Sequence, residues 1–143
     1  MKKTGFKIVE DLPSADFIFD AFGDDLEELF KNCAGACFFA MTDPETVAPV
    51  IGYDIDLTGE TLDDLLYNFM AELIYLKDSE NIFCSRFEIK ISGDHKSLKG
   101  VVRGEPIDYN KHTIKTDVKA ATYHDLHVRE ENGRYSVRMI LDL

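Results

Sequence analysis

Hydrophobic positions along the chain follow two rhythms. Residues 51–57 (IGYDIDL) alternate: Ile51, Tyr53, Ile55 and Leu57 share one face, Asp54 and Asp56 the other. That is the pattern of a strand with one wet face. Residues 86–92 (RFEIKIS) alternate as well, Gly93-Asp94 marks a turn, and residues 97–103 read as the returning strand. The second rhythm is helical. Leu26, Leu29, Phe30, Cys33, Cys37 and Met41 recur at helical spacing. Asp24 stands where a cap is expected, with Glu27 three residues on as in a capping box. Pro44 biases Asp43 out of helical geometry and ends this element. A second helix starts near Thr61. Leu62, Leu65, Leu66, Phe69, Leu73 and Leu76 form its apolar stripe, and Asp63 and Asp64 lie in its first turn, where the helix dipole favours them.

The remaining segments extend the β pattern. Residues 5–10 (GFKIVE) predict a short first strand, and Leu12-Pro13-Ser14 a turn. Residues 17–22 (FIFDAF) predict a second strand. Pro106 to Lys111 reads as a loop, and residues 113–122 and 126–130 as strands. Asn132-Gly133 is a strong tight-turn signal, and residues 134–142 (RYSVRMILD) close the sheet. The order is two strands, helix, strand, helix, then a long β run. It predicts an α+β fold with two helices packed on one face of a mostly antiparallel sheet. No Ser/Gly/Pro-rich linker interrupts the chain, so residues 1–143 are expected to form a single domain.

Charge narrows the functional classes. The formal net charge is −11, and it is uneven. Residues 1–81 carry 18 acids and 5 bases; residues 82–143 carry 9 acids and 11 bases. Nucleic-acid binding rests on clustered Lys and Arg, so strong direct binding to nucleic acid is not expected. An acidic face suits a basic protein partner or a cation, besides its general effect on solubility. No apolar stretch approaches a membrane span. The start, MKKTGFKIVEDL, lacks the apolar core of a signal peptide, and a cytoplasmic location is the default expectation. Three cysteines, Cys33, Cys37 and Cys84, form no disulfide framework, and Cys33 and Cys37 fall on the apolar face of the first helix as small core residues.

No phosphate-cradling loop, nucleophile elbow or zinc-ligand spacing is present. His95 falls in a turn, and His124 and His127 fall on opposite faces if their segment is a strand. The chemistry concentrates elsewhere. The chain closes on MILDL, which sets Asp142 beside the last residue, Leu143. An alternating apolar ending argues for order, and clustered carboxylates there call for a cation. Asp16, Asp142 and the terminal oxygens of Leu143 could offer hard oxygen ligands to one divalent ion. Asp16 also fits a plain turn cap. Lys119, between Val118 and Ala120, fits either a solvated lysine or a contact to an anion or to one of these aspartates.

Several segments then resemble one family. Ser14-Ala15-Asp16 stands where the archease family has Thr-Ala-Asp after a histidine. Gly23-Asp24-Asp25-Leu26-Glu27-Glu28-Leu29-Phe30 and Met41-Thr42-Asp43 are similar to the start and end of its first helix. Leu65–Asn68 and Glu72–Tyr75 resemble its second helix. Gly104-Glu105-Pro106, Lys111-His112, the block KTDVKAATYH (residues 115–124) and the Asp142-Leu143 ending complete the likeness. The block and the ending are its most specific parts. The resemblance implies an accessory protein, not an enzyme. Its partner would be the RtcB-type RNA ligase of tRNA splicing and RNA repair, whose metal- and GTP-dependent guanylylation and multiple turnover it promotes. The implied metal ligands are Asp16, Asp142 and Leu143. The implied ion is calcium in isolation, with magnesium or manganese as alternatives. Lys119 is implied in activation. A second reading is a chaperone or specificity factor for RNA-modifying enzymes such as tRNA methyltransferases. One departure is plain: the histidine of the family's His-Thr-Ala-Asp element is missing at Pro13-Ser14.

Overall fold

The computed structural model describes residues 5–10 and 16–143. The turn expected at Leu12-Pro13-Ser14 lies outside the described residues, as does the Pro13-Ser14 departure. Eight strands and two α-helices follow one another as β1 (Phe6–Ile8), β2 (Phe17–Gly23), α1 (Leu26–Met41), β3 (Ile51–Thr58), α2 (Leu62–Glu80), β4 (Ile82–Ile91), β5 (Ser97–Pro106), β6 (Ala120–Ala121), β7 (Arg129–Glu131) and β8 (Arg134–Asp142). A 3-10 turn, Pro44–Thr46, follows α1.

The α+β reading holds, with one refinement: the strands form two antiparallel sheets. A five-stranded sheet runs β1-β2-β8-β6 with β7 also on β8, and a three-stranded sheet runs β3-β5-β4. The Asn132-Gly133 turn links β7 to β8, with both residues at positive φ (54° and 78°) as a tight hairpin requires. Gly104 is required on β5: a Cβ there would collide with the Phe83 carbonyl oxygen, where β4 shifts register between Cys84 and Arg86.

Both helices start on side-chain caps. Asp25, not Asp24, caps α1 by accepting from the Glu28 N–H (2.7 Å), while Asp24 pairs with Arg134 on β8 (3.1 Å). The box sits one residue later than expected because Gly23 still belongs to β2. Thr61 caps α2 as expected, accepting from the Asp64 N–H. The apolar stripes pack on each other and on the sheets. Phe30 of α1 stacks on Phe69 of α2 with ring centroids 5.7 Å apart, and Phe19, Val102, Met139 and Leu141 are buried with them. Cys33, Cys37 and Cys84 are buried free thiols, and burial raises each above the usual thiol range.

Residues 113–119, expected as part of a strand, are extended but mostly unpaired with any strand. Their amides instead satisfy the end of α1: Lys115 N–H donates to Met41 O (2.9 Å) and Thr116 N–H to Ala40 O (3.2 Å). The last carbonyls of a helix lack intrahelical donors, and this segment supplies them. Only Ala120 and Ala121 join the sheet, opposite Asp142 and Leu141.

Candidate functional site

The two ends of the sequence meet at the centre of the larger sheet. β2 and β8 pair in register from Gly23↔Tyr135 to Phe17↔Leu141. Asp16 immediately precedes the last pair of this ladder on β2, and Asp142 immediately follows it on β8. On β8, Val137, Met139 and Leu141 are buried, whereas Arg138 and Asp142 are exposed. Side chains alternate along a strand, so the Asp142 carboxylate lies on the outer face, away from the helices. Asp20 and Arg138 pair on that face through two hydrogen bonds (2.7 and 3.0 Å). Leu143 packs against the core and holds the backbone next to Asp142.

Asp142 also faces β6. Its carbonyl accepts from the Lys119 N–H at 2.8 Å. Lys119 therefore touches the candidate site through its backbone. It lines a groove on the opposite, α2 side with Tyr67, Ala71, Ile74, Tyr75 and Asp78. The sequence predicts Lys119 in mid-strand, either solvated or in contact with an anion or with Asp16 or Asp142. The structure places it one residue before β6 and against the helix.

The segment leading to Lys119 is held by a residue that the sequence reading passed over. Lys77 of α2 is only 5% exposed, and its ammonium meets Asp117 (2.5 Å), Asp78 (2.7 Å) and the Val118 carbonyl (2.9 Å). Burial works against its charge, but the hydrogen bonds to Asp117 and Asp78 outweigh burial and raise its pKa. A signal was present: Lys77 continues the buried series Leu66, Met70, Leu73 on α2, where a lysine is out of place.

Farther along, the first turn of α2 clamps residues 122–128. Tyr123 donates its hydroxyl to Asp64, Val128 N–H donates to Asp63 (2.8 Å), and His127 Nδ1 lies 3.0 Å from the same carboxylate. Burial and the Asp64 carboxylate push the Tyr123 phenol up to about 12. His124 sits in a turn, with Asp125 at positive φ, and His127 in the irregular segment after it, so neither is on a strand; His124 lies 3.2 Å from Asp125.

The Gly-Glu-Pro and Lys-His motifs also meet. Glu105 accepts from Ala48 N–H (2.8 Å), Lys111 Nζ (2.7 Å) and the His112 ring (2.8 Å). His112 Nδ1 accepts from the Asp108 N–H (3.0 Å), so Nε2 is the nitrogen that donates to Glu105. Lys111 first, then the Ala48 amide and His112, hold the Glu105 carboxyl down to about 2.

Among the described residues, no three His, Cys, Asp or Glu side chains gather as a metal-holding group. What the β2–β8 end offers is two aspartates flanking the last pair of the ladder and main-chain oxygens beside them. That donor set is all oxygen and suits a hard divalent cation such as calcium, magnesium or manganese, with water completing the shell. No helix among the described residues is long and apolar enough to cross a membrane.

Comparison with known proteins agrees in sequence and shape. The model of the archease protein family matches residues 6–143. The protein archease of Methanothermobacter thermautotrophicus is 39% identical over 132 residues, covering 91% of this chain and 94% of that protein. The protein archease of Pyrococcus furiosus is 38% identical over 133 residues, again covering 91% and 94%. The solution structure of Methanobacterium thermoautotrophicum protein 1598 superposes with a TM-score of 0.85 at 37% identity, covering 99% of this chain and all of that one. A crystal structure from Thermotoga maritima, described as an archease and possible chaperone, shares the fold at a TM-score of 0.66 and 21% identity, covering 90% of this chain and 91% of that one.

Proposed function

We propose, from the premise that this chain belongs to the archease family, that it is a cytoplasmic accessory protein and not an enzyme. In this reading it activates the RtcB-type RNA ligase by promoting metal- and GTP-dependent guanylylation. The observation that carries the proposal is the β2–β8 pairing, whose last pair, Phe17↔Leu141, is flanked by Asp16 and Asp142, with Lys119 N–H hydrogen-bonded to the Asp142 carbonyl. Asp16, Asp142 and a main-chain oxygen of Leu143 would hold a divalent cation. That cation supplies positive charge to phosphate oxygens when bound. The residues of the chain do the rest. The carboxylates orient the ion on an open outer face, where a partner's site can approach it. Lys119 is anchored through its backbone and exposed, and among the described residues its ammonium forms no ion pair, so it can meet an anion. The net charge of −11 favours encounter with a basic, RNA-binding partner.

The test is a ligation time course at limiting ligase. The chain is expected to convert a single turnover into many, and Asp142→Ala and Asp16→Ala to lose that effect. Full stimulation by both variants would sink the reading. The alternative, a chaperone or specificity factor for RNA-modifying enzymes such as tRNA methyltransferases, draws on the description of the Thermotoga maritima protein as a possible chaperone. Affinity capture that recovers a methyltransferase and no ligase would favour it.

A further inference from the structure

A cavity of about 240 Å³ opens between the C-terminal end of α2 and residues 107–117. Its walls are apolar, from Met41, Phe83, Ile107 and Ile114. Its polar end is the Lys77 cluster. Lys77 Nζ has three protons, and they go to Asp78, Asp117 and the Val118 carbonyl. No donor remains there for an anionic ligand. Each aspartate makes its shortest contact to Lys77 through Oδ1, and among the described residues no hydrogen bond ends on its Oδ2. Asp78 and Asp117 are 58% and 67% exposed, and both line the cavity. Two carboxylates against one ammonium leave the end negative. Phosphate groups, and hence nucleic acid, are repelled.

Size selects among cations. The volume is below the roughly 300–1,000 Å³ of small-molecule sites, and it suits one side chain. Arginine and lysine combine an apolar stem with a cationic head, matching apolar walls that lead to open carboxylate oxygens. Tyr109 and Ile114 stand at the rim, 74% and 48% exposed. An exposed aromatic there can cover a guanidinium, and aromatic anchors of this kind are enriched at protein interfaces. We infer that this cavity receives a single arginine or lysine side chain from a basic protein partner. The inference does not depend on cation binding by Asp16 and Asp142.

The experiment is an amide NMR titration of the full chain with N-acetylarginine methylamide, and with N-acetylcitrulline methylamide as the neutral isostere. The arginine probe is expected to give saturable shifts at Ile107, Tyr109, Ile114 and Thr116. The citrulline probe should bind about tenfold more weakly, the scale of one charge-assisted hydrogen bond. Asp78→Asn should weaken the arginine probe by a similar factor while keeping Lys77 bonded to Asp117 and Val118. The inference is overturned by no saturable shift with arginine, by equal binding of the two probes, or by unchanged binding in Asp78→Asn. It is also overturned if shifts are as large at Asp54 and Asp56 as at the cavity. Concentration-dependent shifts at the cavity amides without any probe, together with dimers in sedimentation, would overturn it in favour of a second copy of this chain.

Discussion

Glu105 and Asp142 both stand at the C-terminal ends of strands, and the chain treats them in opposite ways. Glu105, one residue from the end of β5, accepts from a backbone amide, a lysine and a buried histidine. Asp142, the last residue of β8, has a carboxylate that accepts nothing from the described residues, while its carbonyl is tied to Lys119. The first carboxylate is consumed by folding: it pins residues 107–112 to the strand and to Ala48. The second is fixed in position by its backbone and left open in its side chain. A carboxylate held that way is available to something outside the chain.

The sharpest way to break this contrast is Asp142→Ala. Calcium binding, followed by isothermal titration calorimetry, is expected to be abolished, and stimulation of ligation with it. Stability in urea should stay within about 0.5 kcal/mol of the parent, as for exposed residues without structural partners. A variant that unfolds easily but still binds calcium would place Asp142 with Glu105.

His112→Ala is the reciprocal test. The ring is buried, and its removal leaves a void, an orphaned Asp108 amide and a partner lost to Glu105. The expected loss is about 2–3 kcal/mol by urea unfolding. Calcium affinity should be unchanged, because among the described residues the hydrogen bonds of Glu105 and His112 run only to Ala48, Asp108 and Lys111. Loss of affinity without loss of stability would reverse the comparison.

The two regions differ in how legible they were from sequence. Alternation marks β3 and β4 and helical spacing marks both helices, because one-sided burial imposes a period on the residues themselves, and the Asn132-Gly133 pair marks its own turn. The sequence offers Asp16 and Asp142 as ligands with nothing to say that they meet; the β2–β8 pairing brings their neighbours Phe17 and Leu141 together. Asp25 displaced Asp24 as the cap because β2 extends to Gly23, a boundary that pairing sets and local pattern does not. The strand expected at 113–122 shrank to Ala120–Ala121, since the amides of Lys115 and Thr116 serve the end of α1. The Glu105–His112 network was visible only as two family motifs, with nothing in their spacing to say that they touch. Lys77 was legible and missed: a lysine in an apolar stripe is a question that its partners, 40 residues away, answer.

Lys77→Met asks whether the site's backbone is held independently of its surroundings. Methionine fills similar volume but frees the Val118 carbonyl and Asp117. A destabilisation of about 1–2 kcal/mol is expected. Calcium affinity should fall by up to about tenfold, as for residues that orient a ligand without touching the ion. Lys77→Arg should recover part of the affinity. Unchanged affinity at reduced stability would show that β8 alone sets the position of Asp142.

The smallest expected effect is in the acid range and concerns Glu105 alone. Its folded pKa is held down to about 2 by Lys111, the Ala48 amide and His112, against an ordinary value of 4.5. A carboxylate depressed by folding adds stability that is complete above its unfolded pKa and is lost as pH falls through its folded one. The stability difference between the parent chain and Glu105→Gln should therefore be constant above pH 4.5, shrink below it, and close near pH 2. Urea unfolding at a series of pH values reads it directly. A gap that persists unchanged to the acid end would mean that Glu105 acts by shape and not by charge. The saturated carboxylate would then owe its place to packing, and the contrast with Asp142 would rest on geometry alone.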